Sequence, residues 1–344
     1  MTSIAAETPP RWSTAPTEPG RGATEAGVWM HRYAVLVAVC TALLVFAGGL
    51  VTSTGSALSV PDWPLSYGTL FPPMVGNVRF EHSHRVVAAT VGLLTIGLAV
   101  WLRRREPRRA VRWLGLLALG AVVLQGLLGG LTVLLLLPTP VSVAHACLGQ
   151  TFFCLVVTIA LVTSPGWRRA DANRAPPRRP LPALAVALTA VVYAQLVVGA
   201  AMRHTGAGLA IPDFPFAFGR IVPPFAAPGV AVHFAHRVLG LMVAAVAALV
   251  AVTAIRQRAE RPLLVPALGV FALVILQIGL GAFTVWSAKA VVPTTLHVLN
   301  GALVLSTSLV LALRSFRMVR RGAAPARVLV PPRFTPRAAG GAVA

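Results

Sequence analysis

The sequence predicts an all-α transmembrane protein, with eight helices as two tandem four-helix bundles, and three observations carry that reading. Of its 344 residues, 56% are hydrophobic and 11% are charged, well short of the quarter or so of charged residues that solvates a soluble domain. Eight apolar segments lie at about 33–52, 82–102, 112–137, 140–163, 182–201, 233–254, 263–287 and 291–313. Each supplies the roughly 20 residues a helix needs to cross a hydrocarbon core. The second half of the chain also repeats the first, as set out below.

The helical assignment follows from lipid itself, where a backbone must satisfy its own hydrogen bonds and long runs of Leu, Val and Ala do so as helices. A compact cytosolic enzyme is excluded by this composition. The formal net charge of +21 and a pI near 11.9 would ordinarily point to nucleic acid, but the basic residues are not spread for that purpose. Arg103, Arg104, Arg105, Arg108 and Arg109 follow the second segment, and Arg168, Arg169, Arg174, Arg178 and Arg179 follow the fourth. Arg256, Arg258 and Arg261 follow the sixth, and Arg314, Arg317, Arg320 and Arg321 the eighth. All these gaps fall on one side, with both termini, and that side is expected to be cytoplasmic in a plasma-membrane protein. The charge is a topology signal and a source of attraction to the lipid bilayer surface, with no nucleic acid as partner.

The expected organisation is a disordered tail over 1–32, an N-terminal four-helix unit over 33–163, a linker over 164–181, a C-terminal four-helix unit over 182–313, and a basic tail over 314–344. The N-terminal tail lacks the apolar core of a signal peptide. Cys40, Cys147 and Cys154 all fall inside expected helices, so no outer-loop disulfide is expected, and the latter two read as packing residues.

The repeat is explicit. Residues 54–73 (TGSALSVPDWPLSYGTLFPP) match 205–224 (TGAGLAIPDFPFAFGRIVPP) at nine of twenty positions. The offset is 151 there and becomes 152 after a one-residue insertion. It then pairs His84-Arg85 with His236-Arg237, Gln125 with Gln277, Gly129 with Gly281, His145 with His297 and Gly149 with Gly301. Because each unit has four crossings, both enter from the same side, which implies a pseudo-two-fold axis along the membrane normal. Each unit carries a long outer loop, 53–81 and 202–232, expected to act as a fixed lid over a pocket mouth.

Four of the eight histidines recur across the duplication: His84, His145, His236 and His297. Each unit therefore has two imidazoles at one depth, on alternate helices. A lone intramembrane histidine is as readily a hydrogen-bonded packing residue. Two pairs in duplicated register point instead to axial ligation of haem iron within each bundle, with Arg85 and Arg237 placed to pair with haem propionates. A non-haem metal would want three or four ligands with a carboxylate or thiolate among them, and no carboxylate recurs at that depth.

The halves differ at Glu81, whose counterpart is His233. Glu81 lies three residues before His84, on the same helical face. An acid at this depth is costly unless paired and is a candidate for proton transfer or for stabilising developing positive charge. The plainer alternative is an acidic residue favouring a helix N-terminus. Asp62 and Asp213 recur and read as loop structure.

Taken together, Thr54-Gly55-Ser56, Pro61-Asp62-Trp63-Pro64, Glu81-x-x-His84-Arg85, Gln125-x-x-x-Gly129, His145, Thr205-Gly206, Pro212-Asp213, His236-Arg237 and His297 resemble the haem A synthase family. The resemblance covers about 33–313. It implies oxidation of the C8 methyl of haem O to a formyl group, for maturation of a terminal oxidase. It further implies that His84 and His145 face the substrate haem, that His236 and His297 hold a haem b, and that Glu81 is the catalytic carboxylate. Haem O would be the substrate, delivered by a haem O synthase, and haem A the product; the electron donor and any homo-oligomer are left open. Some family members carry a cysteine pair in the first outer loop, whereas residues 59–67 here contain none, so a mechanism needing that pair does not apply. A dihaem b protein passing electrons from quinol, and a proton-coupled transporter using the histidines and Glu81, are the alternatives in other classes.

Overall fold

The computed structural model describes residues 21–168, 177–178 and 180–322. The helices are α1 (Arg21–Ser53), α2 (Val78–Arg105), α3 (Arg109–Leu134), α4 (Thr139–Thr163), the single turn α5 (Pro165–Arg168), α6 (Pro180–His204), α7 (Pro228–Arg256), α8 (Arg261–Trp286) and α9 (Val291–Gly322). Among the described residues, eight helices, all but α5, are long and apolar enough to cross a membrane. The shortest of them has 25 residues, about 37 Å of rise. The protein is an all-helical, multi-pass membrane protein.

Local chemistry sets the helix ends. Prolines sit in the first turns of α4, α7 and α8, where a missing N–H costs nothing. α3 stops three residues short of the expected boundary because Leu136 and Leu137 turn left-handed, at φ 57° and 62°. Their N–H groups then cap the carbonyls of Val133 and Thr132, a reversal that satisfies the last turn. Ala288 and Lys289 repeat it on Val285 and Thr284.

Two helices are longer than hydropathy indicates. α1 begins at Arg21, so residues 21–32, expected in the tail, form its first turns. Packing explains the extension: Met30 is buried, and the His31 ring meets the Ala160 carbonyl at 2.9 Å. α9 runs on through residues 314–322, where Arg317 stacks 4.2 Å from the Trp167 ring. The remainder of the expected tails and linker, residues 1–20, 169–176, 179 and 323–344, lies outside the described residues.

Helices α1 to α4 pack in a ring, each against the next and α4 against α1, and α6 to α9 do the same; α1 against α9, and α4 against α6 and α9, join the rings. Within each ring the tightly packed apolar core lies toward the arginine-rich end. In the first it comprises Leu98, Leu102, Val111, Ala118, Phe152 and Val156; in the second, Leu188, Val250, Leu263, Val270 and Leu311. The outer surfaces of these helices expose Leu93, Leu117, Leu241 and Leu249, as lipid-facing helices do. Buried Thr41 and Thr95 donate to carbonyls four residues back, so neither leaves a polar group stranded.

At the arginine-rich end Glu106, fully buried, accepts from Arg108 at 2.7 Å and Arg168 at 2.9 Å. Burial alone would raise its carboxyl, but the Arg108 hydrogen bonds and the nearby Arg168 charge more than offset this and hold it below the usual carboxylate range. Between the rings Arg203 donates to the Gly49 carbonyl at 3.0 Å and to the Thr52 hydroxyl. A guanidinium at the C-terminal end of α1 is favoured by the exposed carbonyls there.

Candidate functional site

The four recurrent histidines lie at the end of the rings opposite the core, beneath the two long loops. These loops are built alike. The Asp62 carboxylate accepts the backbone N–H groups of Tyr67 at 2.7 Å and Gly68 at 2.8 Å, and Asp213 accepts those of Phe218 and Gly219 at the same distances. The Gly68 and Gly219 bonds, with their neighbours, hold both carboxyls below their ordinary range. Tyr67 and Phe218 take left-handed φ values of 53° and 56°, which those carboxylate bonds enforce.

Arg85 and Arg237 clamp the loops onto α2 and α7. Arg85 donates to the carbonyls of Asp62, Leu65 and Val60 and to the Glu81 carboxylate. Arg237 donates to Asp213, Phe216 and Ile211. All four terminal N–H groups of Arg85 are thereby committed. The two arginines hold the roof through loop carbonyls, partners that leave no mark in a sequence.

Glu81 is buried, with one oxygen 2.7 Å from Arg85 and the other accepting the Val60 N–H at 2.9 Å. In the second unit, His233 Nδ1 accepts the Ile211 N–H at 3.2 Å. Val60 and Ile211 are counterparts at the 151 offset, so holding the loop is common to both residues. The carboxylate charge is present in one only.

Each recurrent histidine packs its ring over a glycine on the preceding long helix. A Cβ added at Gly48 would lie 3.1 Å from the His84 ring, at Gly129 3.1 Å from His145, at Gly199 2.9 Å from His236, and at Gly281 3.2 Å from His297. These glycines are the space the imidazoles occupy. The His236 and His297 ring centroids are 6.3 Å apart.

A second set of contacts recurs on three of the four. Gln125 donates to the His145 carbonyl at 3.0 Å, Gln195 to the His236 carbonyl at 2.9 Å and Gln277 to the His297 carbonyl at 2.9 Å. Gln125 and Gln195 also lie 3.4 and 3.3 Å from Nε2 of their histidines. Gln195, Gly48 and Gly199 were not singled out from the sequence. The signal was the spacing Gln-x-x-x-Gly, which Gln195 and Gly199 share with Gln125 and Gly129.

The Nδ1 atoms of all four histidines are enclosed without a hydrogen-bond partner, as is the Oε1 of Gln125 and of Gln195. Orphaned polar atoms are rare in native interiors, and so many at one level mark where a further group would bind. An iron held by two axial imidazoles at about 2 Å each separates the ring centroids by roughly 6 Å, which the His236–His297 spacing fits. Among the described residues no three His, Cys, Asp or Glu side chains converge, and the three cysteines are free, within α1 and α4. In the first unit a groove of about 260 Å³ opens between α2 and α3, lined by Trp63, Ala88, Gly92, Val122 and Gly126 among others. In the second unit Ala244 and Ile278 take the places of Gly92 and Gly126, and Ile278 packs on the core.

The cytochrome oxidase assembly protein family (COX15-CtaA) matches residues 31–78 and 76–309. Similar proteins include the "Heme A synthase" of Halalkalibacterium halodurans, 31% identical over 62% of this chain and 73% of the relative. That of Symbiobacterium thermophilum is 36% identical over 59% and 68%, respectively. That of Shouchella clausii is 29% identical over 76% and 88%. With the duplicated histidine pairs and loops in place, this chain belongs to the haem A synthase family of membrane-bound cytochrome oxidase assembly proteins.

Proposed function

We propose that this protein oxidises the C8 methyl of haem O to the formyl of haem A for terminal oxidase maturation. The N-terminal unit would hold the substrate haem between His84 and His145, and the C-terminal unit a haem b between His236 and His297. The carrying observation is the duplicated pair of buried imidazoles with unpartnered ring nitrogens, one pair already at a centroid spacing of 6.3 Å. When bound, the haem irons supply the electron-transfer and oxidation chemistry. The chain's own residues bind, orient and enclose: the imidazoles fix the ring planes, and the loops held by Arg85 and Arg237 exclude bulk water from above.

Glu81 is the acid–base group in this reading. Its loop contact is reproduced by His233 without a charge, so the carboxylate itself is the added feature of the first site. It sits three residues from His84 and exchanges protons on the loop side. The repeat of two four-crossing units supports a pseudo-two-fold axis along the membrane normal, and the arginine-rich helix ends support a plasma-membrane protein with both termini in the cytoplasm.

The test is chromatographic identification of haems extracted from purified protein, before and after His84→Ala and His297→Ala. The first substitution should remove haem O and haem A while sparing haem b, and the second should remove haem b. Haem b at both pairs, with neither haem O nor haem A recovered from any preparation, would overturn the assignment in favour of a dihaem electron carrier.

A further inference from the structure

The helix pairs α3–α4, α6–α7 and α8–α9 share one device. The first helix of each pair carries Gln-x-x-x-Gly and the second His-x-x-x-Gly: Gln125 and Gly129 with His145 and Gly149, Gln195 and Gly199 with His236 and Gly240, Gln277 and Gly281 with His297 and Gly301. The glycine after the glutamine receives the imidazole. The glycine after the histidine makes room for the glutamine amide: a Cβ at Gly149, Gly240 or Gly301 would lie 3.0, 3.4 or 3.3 Å from the Nε2 of Gln125, Gln195 or Gln277. The glutamine then donates to the carbonyl of the histidine's own residue, tying ligand-bearing backbone to the neighbouring helix at the ligand's level. At the last of the three, Asn300 donates to Gln277 Oε1 at 2.7 Å and so fixes which way that amide points.

The pair α1–α2 departs from this at two positions together. Leu44 stands where the glutamine would be and Ala88 where the second glycine would be, while Gly48 still receives the His84 ring. Loss of the glutamine alone could be drift. Its loss together with the glycine whose only evident use is to admit it is a change of design. His84 keeps its seat but has no tether: Leu44 packs against the apolar core instead.

Resting on the haem reading above, we infer that His84 is the exchangeable axial ligand of the first site, and that Gln125, Gln195 and Gln277 are positioning residues holding the other three imidazoles in place. His84 would give up the haem with its lone pair and an exogenous ligand would donate its own in exchange, with no electron transferred. His145, tethered by Gln125, would keep its hold on the haem.

Carbon monoxide added to the reduced, purified full-length protein reads this directly and without turnover, because it binds only where an axial ligand gives way. Wild-type protein should bind it at the first site and not at the second. Leu44→Gln with Ala88→Gly builds the missing tether and should weaken carbon monoxide binding about three- to tenfold, the effect of one hydrogen bond of ordinary strength. Gln195→Leu with Gly240→Ala, the reverse exchange, should make the second site reactive. Pigmented protein whose first-site carbon monoxide affinity is unmoved by Leu44→Gln with Ala88→Gly, and whose second site stays unreactive in Gln195→Leu with Gly240→Ala, overturns this inference alone. Colourless wild-type protein overturns the haem reading and the inference with it.

Discussion

The first and second four-helix units share a scaffold and differ in what they do with charge and rigidity. Both loops are folded by an aspartate on two backbone N–H groups and clamped by an arginine on three carbonyls. Around the histidines the resemblance stops. The first unit has a buried carboxylate, an untethered His84 and an open groove between α2 and α3; the second has His233, glutamines on both histidines and Ile278 in the groove's place. On one repeated frame, the first unit carries a carboxylate and a histidine without a glutamine contact, and the second carries neither.

The sharpest way to break this comparison is Glu81→Gln. The amide can still accept the Val60 N–H, so the loop should hold, but the charge opposite Arg85 is gone. Haem A formed per mole of protein should fall by about 100-fold or more, as for loss of a general acid–base group, with haem content unchanged. Full activity in that variant would reduce Glu81 to the loop-holding role it shares with His233.

Next in size is a packing exchange. A Cβ at Gly130 would lie 2.6 Å from the Trp63 indole, whereas the second unit combines Phe214 with Ala282 at the equivalent places. Gly130→Ala should therefore cost about 1–3 kcal/mol of overpacking, read as a lower unfolding midpoint in detergent. Trp63→Phe on the same background should recover most of it, since residues in contact couple rather than add. Equal midpoints for the single and double variants would show that the loop simply moves aside.

Glu106→Gln tests the opposite end of the molecule. Its arginine partners are about one-third exposed, so solvent screening discounts the pair, and about 1 kcal/mol is expected. Because the folded carboxyl is depressed, its contribution is fully present above the unfolded value near 4.3 and is lost as pH falls through the folded value. The stability difference between wild type and variant should accordingly be constant at neutral pH and vanish in acid.

The smallest effects belong to Asp62→Asn and Asp213→Asn. Hydrogen exchange at the amides of Tyr67 and Gly68, or of Phe218 and Gly219, should quicken in the matching variant only. In wild type the same amides should lose protection as pH drops below the carboxylate range, because the depressed carboxyls must then take up protons. Both loops should respond alike, for this is a feature the two units kept.

Much of this was legible in the sequence because lipid imposes a strong code: long apolar runs gave the eight crossings, and a repeated loop motif gave the duplication and the four histidines. The extension of α1 to Arg21 was hidden because Met30 and His31 pack on α4 within a stretch whose composition is polar. The loop clamps formed by Arg85 and Arg237 were hidden because the carbonyls they hold are backbone groups, which every residue has. The glutamine tether was half visible, since Gln125 and Gln277 match across the duplication. Gln195 does not, because its counterpart is Leu44; the pattern runs between successive helix pairs, a comparison that aligning the halves does not make.

The dense aliphatic packing of Leu98, Leu102, Val111 and Phe152, mirrored by Leu188, Val250, Leu263 and Leu311, behaves as a stopper on the arginine-rich side. These side chains carry no hydrogen-bonding group to relay a proton, so in the proposed reaction any proton handled near Glu81 would be exchanged with the compartment above the loops. Proton uptake and release in the proposed oxidation would then both fall on one face of the bilayer.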